Sequence, residues 1–239
     1  NYLIDWKLVP VDDAEALLAK IAPYQAANAL KELIDQYSAD PAAKDIADDI
    51  AKAQAVYDDA ASTVEELIAA KNALMLAYNY LSIAGATEDS PKDATGFFKN
   101  PDFTVGNING WDLGFVSGQN VTNLGYQNHT YTNGEVTFTH FIEAWANSDF
   151  AGTGKRSLGD GRLSQTLPSL PAGKYVFSCD AIAVTQDDQQ TPCKGAYLFA
   201  ESGEYNWKTE IHTGNEKPEH FEFTFITLGD DVTLGLKTE

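Results

Sequence analysis

Ile46, Ile50, Ala53, Tyr57 and Ala60 recur at spacings of four and three, while Asp45, Asp48, Asp49, Lys52, Asp58 and Asp59 fill the intervening positions. This is the stripe of an amphipathic helix packing on other helices. Asp40 followed by Pro41 marks its start, a side-chain acceptor for the first amides ahead of a proline that has none. Thr63 with Glu66 forms a capping-box signature before a second stripe through Val64, Leu67, Leu74, Tyr78 and Leu81. A further helix is expected from Asp12, with Glu15 three positions on, through Leu17, Ile21, Leu30 and Ile34 to about Tyr37, kinked or split by Pro23. Short connections force neighbouring helices to be antiparallel, so residues 1–83 are predicted to form an up-down-up three-helix bundle.

Near Ser82 the period changes. Ala, Leu, Asp, Glu and Lys give way to Gly, Thr, Phe, Asn and Tyr, and 84–95, with Gly85, Thr87, Ser90 and Pro91, reads as a linker. Within 96–239 the clearest strand is Lys174 to Val184, where Tyr175, Phe177, Cys179, Ala181 and Ala183 alternate with a mixed set. Further strands are expected at Val136 to Ile142, Arg162 to Leu167, Gly195 to Ala200, Phe221 to Thr227 and Val232 to Leu236. Phe221, Phe223 and Phe225 should share one core, and Asn107 to Asn133 should form loops at one end. Strands without intervening helices predict an antiparallel β-sandwich, so the fold class is a helical bundle followed by a sandwich.

A net charge of -19 and a pI near 4.4 would repel phosphate backbones and anionic lipid, leaving neutral glycans, cations and other proteins as partners. No run of about 18 apolar residues suggests insertion into a membrane. The two cysteines, Cys179 and Cys193, lie on neighbouring predicted strands around the loop Thr185 to Pro192. Both a disulfide and two packed thiols fit that placement.

The segment from Gly161 to Tyr175 (GRLSQTLPSLPAGKY), preceded by Glu143, Ala144 and Trp145, by Asn100 to Phe103 (NPDF) and by Gly110 with Trp111, resembles the galactose-binding-like jelly-roll domains of secreted and surface Bacteroidetes proteins. These domains are similar to carbohydrate-binding modules, and the run from Gly214 to Phe225 fits the same pattern. Asp48 to Leu81 is similar to the helical modules called FIVAR, which act as spacers or adhesive units. The resemblance implies a non-catalytic glycan-binding accessory protein, secreted or held at the cell surface, outer membrane or periplasm. It fixes a fold rather than a ligand.

No nucleophile elbow, zincin motif, P-loop or dinucleotide fingerprint occurs, and no enzyme activity is expected. His129, His140, His212 and His220 lack ligand-like spacing, so no zinc site is assigned. Aromatics beside amide and acidic residues are the better lead, because sugars stack C–H faces on rings and bond through hydroxyls. The candidates are Tyr126 and Tyr131 around Gln127 and Asn128, Trp145 with Asn147, and Tyr205 with Trp207 around Asn206, a pair expected at the surface. Trp111, after a glycine, reads instead as a plug of the core. Loop carboxylates such as Asp230 and Asp231 are compatible with a structural calcium, without a definable ligand set. The competing reading is a structural or adhesive module that contacts another surface protein and has no sugar site.

Overall fold

The computed structural model describes residues 11–114, 119–122, 130–146, 158–185, 191–213 and 217–239. They fall into two compact units, one ending at Phe97 and the other beginning at Phe98.

The first unit holds α1 (Val11–Ser38), a 3-10 segment (Pro41–Ile46), α2 (Ala47–Asp58) and α3 (Val64–Ile83). Its core is Leu30, Ile34, Tyr37, Ala43, Ile46, Ala53, Leu67 and Leu74, drawn from all three helices and the connecting turn. Asp40 caps the 3-10 segment by accepting from the Ala42 amide at 2.9 Å. Thr63 and Glu66 close a reciprocal capping box, the Glu66 amide donating to the Thr63 hydroxyl and the Thr63 amide to the Glu66 carboxylate. Beyond α3 the chain stays with this unit: the Asn79 amide donates to the Gly96 carbonyl at 2.8 Å and the Tyr80 and Phe97 rings sit 5.7 Å apart.

Pro23 does not divide α1, which runs unbroken across it. Ala19, whose carbonyl loses its partner there, is exposed, so water can serve the freed group. The expected core positions Leu17 and Ile21 are also solvent-facing, 48% and 37% exposed, as are Leu18 and Tyr24 at 63% and 74%. At 28 residues against 12 for α2, α1 outruns its neighbour, and its first turns continue the apolar seam with nothing among the described residues to bury it.

The second unit is an antiparallel sandwich. Its strands are β1 (Asp112–Leu113), β2 (Gln119–Thr122), β3 (Tyr131–Asn133), β4 (Val136–Phe138), β5 (Glu143–Ala146), β6 (Gly161–Leu167), β7 (Gly173–Ala181), β8 (Ala196–Ser202), β9 (Tyr205–Glu210), β10 (Glu219–Thr227) and β11 (Val232–Thr238). Five form one sheet in the order β1-β6-β11-β8-β9, while β10 pairs β7, β2 pairs β5 and β3 pairs β4. Period-two alternation puts Leu163, Leu167, Leu198, Ala200, Val232 and Leu234 on the buried face of the large sheet. The β7–β10 pair turns Tyr175, Phe177, Phe223 and Phe225 to one side, as their alternation predicts.

Two further expectations need correction. The strand expected over Val136 to Ile142 stops at Phe138, where the chain leaves its ladder, and pairing resumes with another partner only from Glu143. The stretch Asn107 to Asn133, expected to be loops, contributes β1, β2 and β3, strands too short to show a period. Of the two arrangements left open for Cys179 and Cys193, the structure has the free thiols. Register explains why: the Cys193 amide donates to the carbonyl of Ala183, four positions and therefore ~13 Å along the strand from Cys179.

Candidate functional site

One end of the sandwich gathers three connections: Pro168 to Ala172 between β6 and β7, Gly203 and Glu204 between β8 and β9, and Leu228 to Asp231 between β10 and β11. They are tied together. The Ser169 amide donates to the Asp231 carboxylate at 2.8 Å, the Ser202 hydroxyl to the Asp231 carbonyl at 3.0 Å, and the Tyr175 hydroxyl to the Pro171 carbonyl at 2.8 Å. Ser169 takes a left-handed φ of 49, and Gly203, at φ 57, makes the tight β8–β9 turn.

Tyr205 stands at this end, 64% exposed. Trp207, two residues on and therefore on the same face, stacks against it at 5.8 Å with ring planes 23° apart. Trp207 is half-buried and rests in turn on Phe225, 6.0 Å away and almost fully enclosed. The expectation of two surface aromatics therefore divides: Trp207 belongs to the buried face of β9 and anchors the pair, and Tyr205 presents a ring to solvent. From Phe225 the contacts continue through Phe223, Phe177, Phe98 and Trp111 to Phe103, an aromatic spine through the unit. Trp111 is a plug, its indole N–H donating to the Asn100 carbonyl at 3.0 Å.

Of the other candidates, Tyr131 is half-buried edge-on to Phe141 at 5.3 Å, and Trp145 is half-buried on β5 opposite Asn120. Neither is brought to Tyr205 by any strand pairing. Tyr126 and Asn147 lie outside the described residues. No three His, Cys, Asp or Glu side chains among the described residues converge as metal ligands. Burial pushes the Cys179 thiol up to about 12, aided by the neighbouring charge of Asp180.

Sequence reasoning missed the opposite face of the large sheet. There Arg162 pairs with Glu201 at 3.1 Å, Glu201 faces Lys237 at 3.8 Å, Lys237 pairs with Glu239 at 2.9 Å, and Glu239 accepts from Lys208. Beneath this row Phe199 is fully buried, with the Arg162 guanidinium 4.7 Å and the Lys237 ammonium 5.3 Å from its ring centre. The Lys208 hydrogen bond, then that from Lys237, holds the Glu239 carboxyl below its ordinary range, and the Glu239 contact raises Lys208. The row is assembled from four strands whose register no single stretch of sequence reveals.

No protein-family model matches the chain, and no curated protein matches it. Among solved structures the chain is similar to a carbohydrate-binding module, TmCBM61, described in complex with beta-1,4-galactotriose. The TM-score is 0.36 and the identity 17%, over 60% of this chain and 86% of that one. The strand pairing described above, not this likeness, defines the sandwich. No helix among the described residues is long and apolar enough to cross a membrane.

Proposed function

We propose that the protein is a non-catalytic saccharide-binding accessory module of the secreted or surface-displayed kind, with Tyr205 as its stacking platform and the helical unit as a spacer. The observation that carries this is the pairing of exposure with rigidity at Tyr205. A solvent-facing phenol normally samples several rotamers, but this one is stacked on Trp207, which Phe225 holds from behind. A ring fixed in advance loses little entropy when a sugar face settles on it, and phenols and indoles are the side chains that offer both an apolar face and a polar tip. Glu204, Asp230, Asp231 and Ser169 occupy the surrounding connections, where hydroxyl partners are needed. The test is a glycan-array screen of the intact chain and of Tyr205→Ala. Binding to a defined saccharide that falls at least tenfold in the folded variant supports the reading, and silence across a broad array overturns it.

A second reading, an adhesive protein-contacting module, draws on the apolar seam of α1 at Leu17, Leu18 and Tyr24. It would be favoured over the first if the array stayed silent and Leu18→Glu abolished self-association or capture of a surface protein.

A further inference from the structure

We propose that the outer face of the five-stranded sheet is a second saccharide surface, which takes a neutral glycan chain laid across β6, β11, β8 and β9 along the row Arg162, Glu201, Lys237, Glu239 and Lys208. It shares with the Tyr205 reading only the class of ligand, and it uses the other face of the same sheet.

The sign of the charges selects the ligand. In a chain of net charge -19 this row carries three cations against two carboxylates. Glu210, beside Lys208 and accepting from the Gly195 amide at 3.2 Å, balances the count. The row itself is neutral, and the net charge of the whole chain repels acidic polymers, which leaves a neutral glycan as the polymer that suits it. The row offers alternating donors and acceptors, and a sugar hydroxyl is both at once: it can accept from an ammonium or guanidinium while donating to the adjacent carboxylate.

The row is also fixed in advance. Arg162 and Lys237 lie on the Phe199 ring and Lys208 lies 4.1 Å from the ring centre of Tyr197, so a ligand would meet side chains already ordered. Their ends remain reachable: Arg162, Glu201, Lys208 and Glu239 are 41%, 30%, 40% and 43% exposed, and only Lys237, at 14%, is held deep. Shielding Phe199 accounts for Arg162 and Lys237 alone. The row runs on past it through Glu239 to Lys208 on the edge strand, ~14 Å at ordinary strand spacing, which suits an oligosaccharide better than one sugar.

The test is native gel electrophoresis of the whole chain through gels containing neutral galactan, mannan or xylan, with polygalacturonate as the acidic comparison, at low and high salt. The forms compared are the native chain, Tyr205→Ala and Arg162→Gln/Lys208→Gln, each checked for an unchanged melting profile. The expected result is retardation by at least one neutral polymer that survives Tyr205→Ala, weakens at least tenfold in the double variant and does not change with salt. The proposal fails if the folded double variant is retarded like the native chain, if no neutral polymer retards any form, or if only polygalacturonate binds and salt abolishes it. Retardation lost in Tyr205→Ala but kept in the double variant would uphold the first site and sink this one; retardation that depends on the row alone upholds this one and leaves the Tyr205 reading to stand or fall on its own glycan-array test. Should the double variant misfold, Lys208→Gln, at the exposed end of the row, carries the same test with a threefold loss expected.

Discussion

Tyr78 donates its hydroxyl to the Asp40 carboxylate across 2.6 Å and 38 positions of chain, while its ring stacks on Tyr37 at 4.0 Å with planes 6° apart. One side chain thus ties the end of α1, the cap of the 3-10 segment and the last turns of α3. Asp40 serves two donors, Tyr78 through one oxygen and the Ala42 amide through the other. These bonds hold its carboxyl below the ordinary range, Tyr78 contributing most.

The sign of the pH effect follows. Because the folded state favours the ionised form, the stabilisation is complete above the unfolded-state pKa, near 4, and is lost as pH falls through the lower folded-state value. Tyr78→Phe keeps the stack and removes the hydrogen bond. Thermal melts followed by helical circular dichroism should show the variant melting below the native chain by a constant margin from pH 7 to 5, with the margin shrinking below about pH 4. An equal margin at pH 2 and pH 7 would refute the coupling.

Gly235 lies opposite Phe199 on one side and Ser164 on the other. A Cβ there would meet the Leu163 carbonyl at 2.0 Å and the Ser164 Cα at 2.8 Å, both backbone atoms that cannot step aside. Gly235→Ala should therefore destabilise the sandwich by about 2 kcal/mol or more, read from guanidinium unfolding followed by tryptophan fluorescence. A change below about 0.5 kcal/mol would show that the strands separate more easily than this packing implies.

What could be read in advance divides by the range of the interaction. The helix caps at Asp40 and Thr63, the stripe through Leu67 and Leu74 and the alternation of Tyr175, Phe177 and Phe223 are local, so period and capping chemistry expose them. The ionic row is not local: Arg162 and Glu201 meet only because β11 lies between β6 and β8. Leu17 and Ile21 fit a helical stripe perfectly well; their exposure reflects where the neighbouring helices end, which the period of α1 does not encode. Trp207, expected at the surface, is half-buried for a related reason, since its polar neighbours Asn206 and Lys208 project to the other side of the strand.

Cys179, opposite Phe221 on the aromatic side of the β7–β10 pair, keeps its thiol protonated far above neutral pH because burial disfavours the thiolate. In a Cys193→Ser chain, where the half-buried Cys179 is the remaining thiol, a disulfide-exchange reagent at pH 8 should react at least tenfold more slowly than after guanidinium is added, when one equivalent is released. Rapid labelling of the folded chain would mean that this face opens on the time scale of the assay.

Tyr205 and Trp207 should separate stability from recognition. Trp207 touches both Tyr205 and the enclosed Phe225, so Trp207→Ala removes a half-buried indole from the end of the core and should cost about 2 kcal/mol of unfolding free energy. Tyr205, 64% exposed, gives up little buried area, and Tyr205→Ala should stay within about 0.5 kcal/mol of the native chain. Denaturant unfolding of both variants beside the native chain decides the matter. If Tyr205→Ala proves as costly as Trp207→Ala, the phenol is a structural cover for the indole, and the platform assigned to it as a sugar-binding surface is lost. If only Trp207→Ala is costly, the two rings have distinct duties, one holding the end of the sandwich together and the other held out to solvent.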